Sequence, residues 1–192
     1  MIVRLAEERD VPALLEIYRP HVEGSAVSFE DRAPTVEEFA ARVQVRGSDR
    51  PWLVAEIEGA PAGYAYAGTF RTRAAYRWCA ETAVYVAGWA QRLGVGRRLY
   101  GTLVALARVQ GYRTLIAGIT LPNAASAGLH EAVGFVRTGT WPRCGFKMGR
   151  WWDVGVWSLE LGPYEGEPEE PRGVGGIDPR RLLETGLTRS SA

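Results

Sequence analysis

The stretch Gln91-Arg92-Leu93-Gly94-Val95-Gly96-Arg97 follows an apolar β-type segment and opens a run of apolar residues at helical spacing. We predict a strand at 79–86 and an amphipathic helix that begins within this stretch and ends at Gly111. The two glycines let the backbone approach a ligand, and a helix N-terminus offers unpaired N–H groups and a positive dipole end. With the charges of Arg92 and Arg97, the turn predicts a pyrophosphate pocket. An ordinary tight turn is the alternative.

Two common phosphate-binding patterns do not fit this turn. The Gly-Lys-[Ser/Thr] that a P-loop requires is absent from it. The third glycine of the dinucleotide-binding pattern is also missing, because Leu99 stands in its place. The turn alone therefore does not identify its ligand.

Composition narrows the class of protein. The chain has 192 residues, a net charge of +1 and 46% hydrophobic residues, which fits a folded domain rather than a disordered chain. Near-neutral charge argues against nucleic-acid binding through bulk charge, and no apolar run reaches the ~18–20 residues of a membrane span. The N-terminal residues do not resemble a signal peptide, so we expect a cytoplasmic protein. The two cysteines lack metal-ligand spacing, and we expect no metal.

The order of predicted elements indicates a mixed α/β fold. A helix is predicted after Asp10, followed by a loop from Pro20 to Pro34. Further helices are predicted from Thr35 to about Val45 and from Pro122 to about Val133. The other predicted strands lie at 2–5, 52–57, 62–70, 113–120, 135–141 and 154–161. Residues 1–162 form the predicted domain. The Pro-, Gly- and Glu-rich residues 163–192 form a tail outside its core, with one short helix at about 179–185.

Motifs on both sides of the glycine turn make the pattern more specific. Downstream lie Asn123, then Leu129-His130-Glu131, then Gly134-Phe135. Together with the turn, they resemble the GCN5-related N-acetyltransferase (GNAT) superfamily over roughly residues 1–162. Four further segments extend the resemblance to the phosphinothricin and methionine sulfoximine N-acetyltransferases: Ala26-Val27-Ser28-Phe29-Glu30, Arg71-Thr72-Arg73-Ala74-Ala75-Tyr76, Glu81-Thr82-Ala83-Val84-Tyr85-Val86 and residues 145–154 (GFKMGRWWDV).

The resemblance implies an acyl-CoA N-acyltransferase fold, in which helices flank a mixed, mostly antiparallel, twisted sheet. It also implies acetyl-CoA as co-substrate and a homodimer. The pyrophosphate would lie on Arg92, Leu93, Gly94, Val95, Gly96 and Arg97. The pantetheine arm would bond the strand backbone at Val84, Tyr85 and Val86. Asn123 either bonds the pantetheine or only caps the following helix, and the sequence leaves both open.

Two residues are candidates for proton transfer. An acceptor amine is mostly protonated at neutral pH, so a base must remove a proton before it can attack a thioester. If the strand valines face the core, Glu81 lies on the opposite face, where it can reach a cleft. By resemblance Glu81 is the base, and His130 either relays the amine proton or returns one to sulfur. A solvated strand carboxylate and a surface histidine are the alternatives.

Acceptor recognition is assigned to a basic segment. Arg71 and Arg73 project to one face of an extended segment, and Tyr76 adds a hydroxyl. Arginine binds a carboxylate or phosphinate with two parallel hydrogen bonds. The resemblance implies that these residues bind the acceptor and that Phe29 forms an apolar wall, whereas a solvated basic loop is the alternative. Ala83, where many relatives have threonine, can alter which amino acid fits.

The predicted function is acetyl transfer from acetyl-CoA to the amine of a small amino-acid-like acceptor by direct attack. Acetylation of another amine, such as a peptide N-terminus, and a non-catalytic acyl-CoA-binding sensor are the alternatives. Lys147 is the only lysine in the chain. It either reflects a biased genome or marks a site.

Overall fold

A computed structural model of the protein describes residues 1–43 and 50–175, together with Ile177 and Pro179. Within these residues, one seven-stranded sheet has the order β1-β2-β3-β4-β5-β7-β6. Its strands are β1 (Ile2–Leu5), β2 (Trp52–Ile57), β3 (Ala60–Thr69), β4 (Cys79–Val86), β5 (Thr114–Leu121), β6 (Val136–Lys147) and β7 (Arg150–Glu160). Each neighbouring pair is antiparallel except β4 and β5, which run parallel. The predicted mixed, mostly antiparallel sheet is confirmed.

Helices cover both faces of this sheet. They are α1 (Val11–Glu23), α2 (Val36–Ala40), α3 (Val95–Gln110) and α4 (Ala124–Ala132). Helix α3 packs where Gly63 leaves room, because a Cβ at that glycine would lie 3.0 Å from Val95 Cγ1. Side chains of a strand alternate between faces, so Tyr64 points to the other face, where its ring contacts Phe39 of α2. The core therefore has an α3 side and an α1–α2 side.

The helix boundaries differ from the prediction around α1 and α2. Helix α1 continues through Pro20 to Glu23, although a loop was predicted from Pro20. A further turn buries Val22, which is 1% exposed, and this burial offsets the backbone hydrogen bond that Pro20 cannot donate. Helix α2 begins at the predicted capping box of Thr35 and Glu38 but ends at Ala40. The predicted end at Val45 lies outside the described residues.

The last two strands are longer than predicted. They form a hairpin closed by Met148 and Gly149, whose φ values of 51° and 77° are those of a tight two-residue turn. The prediction ended the first of these strands at residue 141 and began the second at 154. The structure instead places residues 142–144 in a bulge, after which pairing resumes at Gly145.

Part of the predicted tail is attached to the domain. Val174 is 4% exposed and belongs to the hydrophobic core, so the prediction that the tail lies outside the core is wrong at this residue. The boundary at residue 162 stays a prediction. The short helix predicted at about 179–185 lies outside the described residues, apart from Pro179.

Candidate active site

A cleft opens where the two parallel strands separate. Strands β4 and β5 share three register pairs, the last of which joins Glu81 to Ile116. Beyond that pair the strands diverge, and the Thr82 hydroxyl spans the gap by donating to the Ile116 carbonyl at 3.3 Å. The residues that line the cleft come from β4, β5, α3, α4 and the loop after α1: Val27, Thr82, Ala83, Val84, Tyr85, Tyr100, Gly118, Ile119, Thr120, Asn123, Ser126 and His130.

The backbone of β4 offers hydrogen-bonding groups to this cleft. The Trp78 carbonyl accepts from the Arg113 N–H on the β5 side, whereas the Ala87 N–H donates to Ala62 on the β3 side. Because backbone groups alternate along a strand, Val84 and Val86 turn their N–H and C=O groups toward the cleft.

The same alternation turns the backbone of Tyr85 toward β3. Of the three predicted pantetheine contacts, Val84 and Val86 therefore have the required backbone orientation and Tyr85 does not. The Tyr85 ring instead packs against Tyr18, with 5.0 Å between ring centroids.

The glycine turn leads directly into α3. Gly94 has φ 80° and Arg92 has φ 62°, so both lie in the left-handed region. The Arg98 N–H donates to the Gly94 carbonyl at 3.0 Å, which begins the helical hydrogen-bond series. The N–H groups of residues 95–97 come before that bond and have no helical acceptor. These N–H groups, with the exposed Arg92 and Arg97 beside them, can bind a diphosphate.

The two glycines of this turn serve different purposes. Gly94 is required by its left-handed backbone. At Gly96, an added Cβ would lie 2.8 Å from Leu129 Cδ2, so this glycine leaves room for the Leu129 side chain of α4. Close approach of a ligand to the backbone at both glycines stays a prediction.

Glu81 lies on the face that the sequence predicted. Its neighbours Ala80 and Thr82 are 0% and 4% exposed on the α3 side, whereas Glu81 points to the other face and is exposed. Partial burial of the carboxyl raises the pKa of Glu81 above its ordinary value. A Cβ at Gly118 would lie 4.0 Å from Glu81 Oε1, so that glycine leaves space beside the carboxylate.

His130 is a buried side chain with both ring nitrogens hydrogen bonded. It is 3% exposed, so the alternative of a surface histidine is wrong. Its Nδ1 lies 2.7 Å from the Ser126 carbonyl oxygen, which can only accept, so Nδ1 carries a proton. Nε2 lies 2.7 Å from the Tyr100 hydroxyl. Burial lowers the pKa of His130, which favours a neutral ring that accepts the Tyr100 proton at Nε2.

Asn123 performs one of the two roles left open for it. Its Oδ1 accepts from the Ser126 N–H at 3.0 Å, which caps α4. The residue also lines the cleft. The cap is therefore shown, and a bond to pantetheine stays a prediction.

The basic segment leaves β3 at its end and turns back rather than extending. Residues Ala74–Tyr76 form a 3-10 turn, and the Arg71 guanidinium lies 5.6 Å from the centroid of the Tyr76 ring. Arg73 is exposed, and within the described residues its side chain makes no hydrogen bond or ion pair. The structure thus brings Arg71 and Tyr76 together. It shows no contact between Glu81 and the two arginines.

Phe29 lies at the hairpin formed by β6 and β7. A Cβ at Gly145 would lie 2.2 Å from Phe29 Cε2, so the ring packs directly on the glycine backbone. Lys147 Nζ donates to the carbonyls of Val22 at 2.5 Å and Ser28 at 2.7 Å. The only lysine of the chain therefore ties the hairpin to the loop that carries Phe29.

Comparison with known proteins shows which family the chain belongs to. The model of the acetyltransferase (GNAT) domain matches residues 3–156. The chain is 41% identical over 159 residues to the phosphinothricin N-acetyltransferase of Streptomyces viridochromogenes, covering 83% of this chain and 87% of that protein. It is 36% identical to the L-methionine sulfoximine/L-methionine sulfone acetyltransferase of Salmonella typhimurium, covering 84% of this chain and 95% of the relative.

A solved structure shows the same fold. The crystal structure of a GNAT superfamily phosphinothricin acetyltransferase from Sinorhizobium meliloti, in complex with acetyl-CoA, superposes with a TM-score of 0.84. The two chains are 35% identical, and the match covers 93% of this chain and 98% of the Sinorhizobium chain.

The chain belongs to the GNAT acetyltransferase family.

This GNAT protein is an acetyl-CoA-dependent N-acetyltransferase. The residues present fit acetyl-CoA on structural grounds. The free N–H groups of α3 suit its diphosphate, and the unpaired edge of β4 at Val84 and Val86 suits an amide-containing arm. The resemblance inferred from the sequence motifs is confirmed.

Sequence reasoning missed an aromatic pocket next to Glu81. A cavity of about 280 Å³ lies on the α1–α2 side of the sheet. Trp52 and Tyr66 stack within it at 4.3 Å between ring centroids. Tyr66 pairs across the strands with Ala83, which follows Glu81 on the same face. The alternation of aromatic residues along β3, in register with Glu81, was the signal that could have revealed it.

The described residues contain no group of three or more His, Cys, Asp or Glu side chains placed to hold a metal ion. None of the helices in the described part of the chain has the length and apolar character of a bilayer span.

Proposed function

We propose that this GNAT enzyme acetylates the α-amine of a small amino acid with an anionic or strongly polar side chain, of the phosphinothricin, methionine sulfoximine or methionine sulfone type. The observation that carries the proposal is the solvent-accessible carboxylate of Glu81, with its raised pKa, at the point where β4 and β5 separate. The names of the relatives support the class of acceptor.

Glu81 is the general base of the proposed reaction. It accepts a proton from the acceptor ammonium, directly or through water, and thereby frees the nitrogen lone pair. The nitrogen then bonds to the thioester carbonyl carbon to give a tetrahedral intermediate, and the C–S bond breaks as the carbonyl re-forms. The second proton that the nitrogen loses on becoming an amide passes through water to the thiolate of coenzyme A, which leaves as the free thiol. The raised pKa of Glu81 makes its carboxylate a stronger base than a glutamate with the ordinary pKa.

The β4 edge stabilises the charge that develops on the carbonyl oxygen. The N–H groups of Val84 and Val86 face the cleft and are held by the sheet, so they need no rearrangement during the reaction. Fixed backbone donors of this kind are worth more in a cleft than in water.

His130 acts on the site through Tyr100. Because both of its nitrogens are hydrogen bonded and its pKa is lowered, His130 holds the Tyr100 hydroxyl rather than serving as a free acid. Tyr100 lines the cleft and contacts Thr82 of β4 at 3.4 Å. We therefore assign His130 a positioning role, and the thiolate takes its proton through water, because the Tyr100 proton is held by His130 and burial raises the pKa of Tyr100.

Arg71, Arg73 and Tyr76 bind the acceptor in this proposal. The side chain of Arg73 is exposed, so its guanidinium is available to a carboxylate. Phe29 lies in the loop after α1, packs against the hairpin and is 39% exposed. Its ring gives the acceptor an apolar wall.

The proposal is tested by thiol release from acetyl-CoA with a panel of amines. Phosphinothricin, methionine sulfoximine and methionine sulfone are expected to give a higher kcat/KM than ordinary amino acids or a peptide N-terminus. A preference for the peptide would indicate another GNAT activity. Tight acetyl-CoA binding without thiol release by any amine would indicate an acyl-CoA sensor.

Glu81→Gln tests the base. We expect kcat to fall by about 10²- to 10⁴-fold, because the amide cannot accept the proton, while the Kd for acetyl-CoA stays within twofold. In the wild type, kcat/KM should also fall as the pH drops through the raised pKa of Glu81, since the protonated carboxyl is no base. Equal losses of kcat and of acetyl-CoA affinity would count against Glu81 as the base. The same fall of kcat/KM at low pH in the wild type and in Glu81→Gln would also count against it.

Arg73→Ala tests acceptor binding. Loss of a bidentate contact should raise the acceptor KM by about tenfold and leave the acetyl-CoA KM unchanged. The control is Arg9→Ala, which removes the same charge from an exposed arginine that follows β1. An unchanged acceptor KM in Arg73→Ala would remove this residue from the site.

We also propose that the enzyme is a cytoplasmic homodimer. Cys79 and Cys144 are both free, which fits a reducing compartment. The hairpin of β6 and β7 exposes Trp141, Phe146 and Trp151, and an exposed aromatic patch of this kind is typical of an interface. A second copy of the chain is the occupant that the family resemblance implies.

Sedimentation velocity tests the dimer. The wild type should sediment as a dimer, and Trp151→Arg should sediment as a monomer because it places a charge in the apolar patch. Trp89→Arg is the control, since Trp89 is 57% exposed against 60% for Trp151 but lies outside the hairpin. A monomeric wild type, or a dimeric Trp151→Arg protein, would contradict the proposal.

A further inference from the structure

The tail beyond β7 contacts the segment that carries the proposed acceptor-binding residues. The family model ends at residue 156, so this tail lies outside the matched region. We infer that residues 163–175, which we call the strap, hold the turn Ala74–Tyr76 in the position that acceptor binding requires. The inference rests on the function proposed above.

Trp78 is the first point of attachment. Its indole Nε1 donates to the Glu169 carbonyl of the strap at 2.8 Å. Its own carbonyl accepts from the N–H groups of Arg113 at 2.8 Å and Thr114 at 3.3 Å. Trp78 is therefore fixed to the strap by its side chain and to the start of β5 by its backbone.

Arg77 is the second point of attachment, and it reaches the turn itself. One end of its guanidinium forms an ion pair with Glu170 of the strap. Its Nε donates to the carbonyl of Ala74, the first residue of the turn, at 2.9 Å. The guanidinium also lies 4.6 Å from the centroid of the Trp78 ring. A single side chain thus connects the strap to the turn that carries Tyr76.

The strap is anchored at its far end to helix α3. The Arg172 N–H donates to the Gln110 carbonyl at 2.8 Å, and Gln110 Nε2 donates to the Arg172 carbonyl at 2.7 Å. Gln110 is fully buried, and Val174 is buried in the core two residues after Arg172. Residues 169 and 170 therefore project from an anchored segment.

Apart from the strap, the turn contacts residues of its own segment: the Tyr76 ring lies 5.6 Å from both the Phe70 ring centroid and the Arg71 guanidinium. Its own hydrogen bonds are local, from Tyr76 N–H to Arg73 at 3.0 Å and from Arg77 N–H to Ala74 at 3.1 Å. A cavity of about 240 Å³ separates it from the strap, with Tyr76 on one wall and Tyr164 on the other. Because a cavity lies between the turn and the strap, the polar attachments at residues 77 and 78 are what connect the two.

Loss of the strap contacts is therefore expected to weaken binding of the acceptor and not of acetyl-CoA. Trp78 precedes β4, but β4 is paired on both sides near Glu81 and does not depend on the strap. Within the described residues, the cofactor turn at 91–97 makes no backbone hydrogen bond with the strap. Residues Arg77, Trp78, Glu169 and Glu170 are therefore positioning residues for the acceptor site.

Steady-state kinetics of Trp78→Phe and Glu170→Arg test the inference. Trp78→Phe removes the indole donor and keeps an aromatic ring, whereas Glu170→Arg places two like charges against each other. Each should raise the acceptor KM by about 3- to 10-fold, with the acetyl-CoA KM within twofold of the wild type. Glu170→Asp, which keeps the charge, should stay close to the wild type.

Glu167→Arg is the matched control. It makes the same charge change on an exposed strap residue for which no hydrogen bond or ion pair with the described residues is found, so both KM values should stay unchanged. An unchanged acceptor KM in both test variants would overturn the inference. A parallel rise of both KM values with a lower melting temperature would also overturn it, since that indicates a purely structural role. A wild type that releases thiol with no amine would instead overturn the proposed function.

Discussion

Strands β4 and β5 are parallel neighbours that share three register pairs and then part at Glu81 and Ile116. A sheet interior normally satisfies its backbone groups by continued pairing, so strands that diverge leave donors and acceptors for another molecule. The free groups here belong to Val84 and Val86. The cleft beside them is lined by residues of β4, β5, α3, α4 and the loop after α1. The separation creates the binding edge and exposes the carboxylate in the same place.

Helix α3 completes the site because its N-terminus follows shortly after the end of β4 at Val86. The turn at 91–97 delivers the N-terminus of α3, with its unpaired N–H groups, beside the open edge of β4. Gly94 permits the left-handed backbone of that turn, and Gly96 leaves room for Leu129 of α4, the helix that carries His130. The turn predicted to bind the cofactor therefore also contacts the helix whose His130 bonds Tyr100.

Much of this could be predicted from the sequence, for local reasons. The glycine turn, the helix that follows it and the cap at Asn123 depend on residues close together in the chain, and the face of Glu81 follows from strand alternation. The separation of β4 from β5 could not be derived, because both strands keep β-type sequence through residues 86 and 121. The sequence analysis likewise ended a strand at residue 141, next to the bulge at Pro142. Pairing resumes at Gly145 because β7 continues alongside, which the local sequence does not indicate.

Burial was the other property that local pattern did not reveal. Helix α4 has only nine residues, so its pattern left His130 open as a surface residue, whereas packing against Tyr100 and Phe135 buries it. Val174 lies in a Pro- and Gly-rich segment, yet it is buried in the core. The most direct test of the account is a crystal structure of the protein with coenzyme A. The account predicts a diphosphate on the N–H groups of residues 95–97 and an arm bonded to the backbone of Val84 and Val86, ending near Glu81. A ligand bound elsewhere, with the gap between β4 and β5 closed, would contradict it.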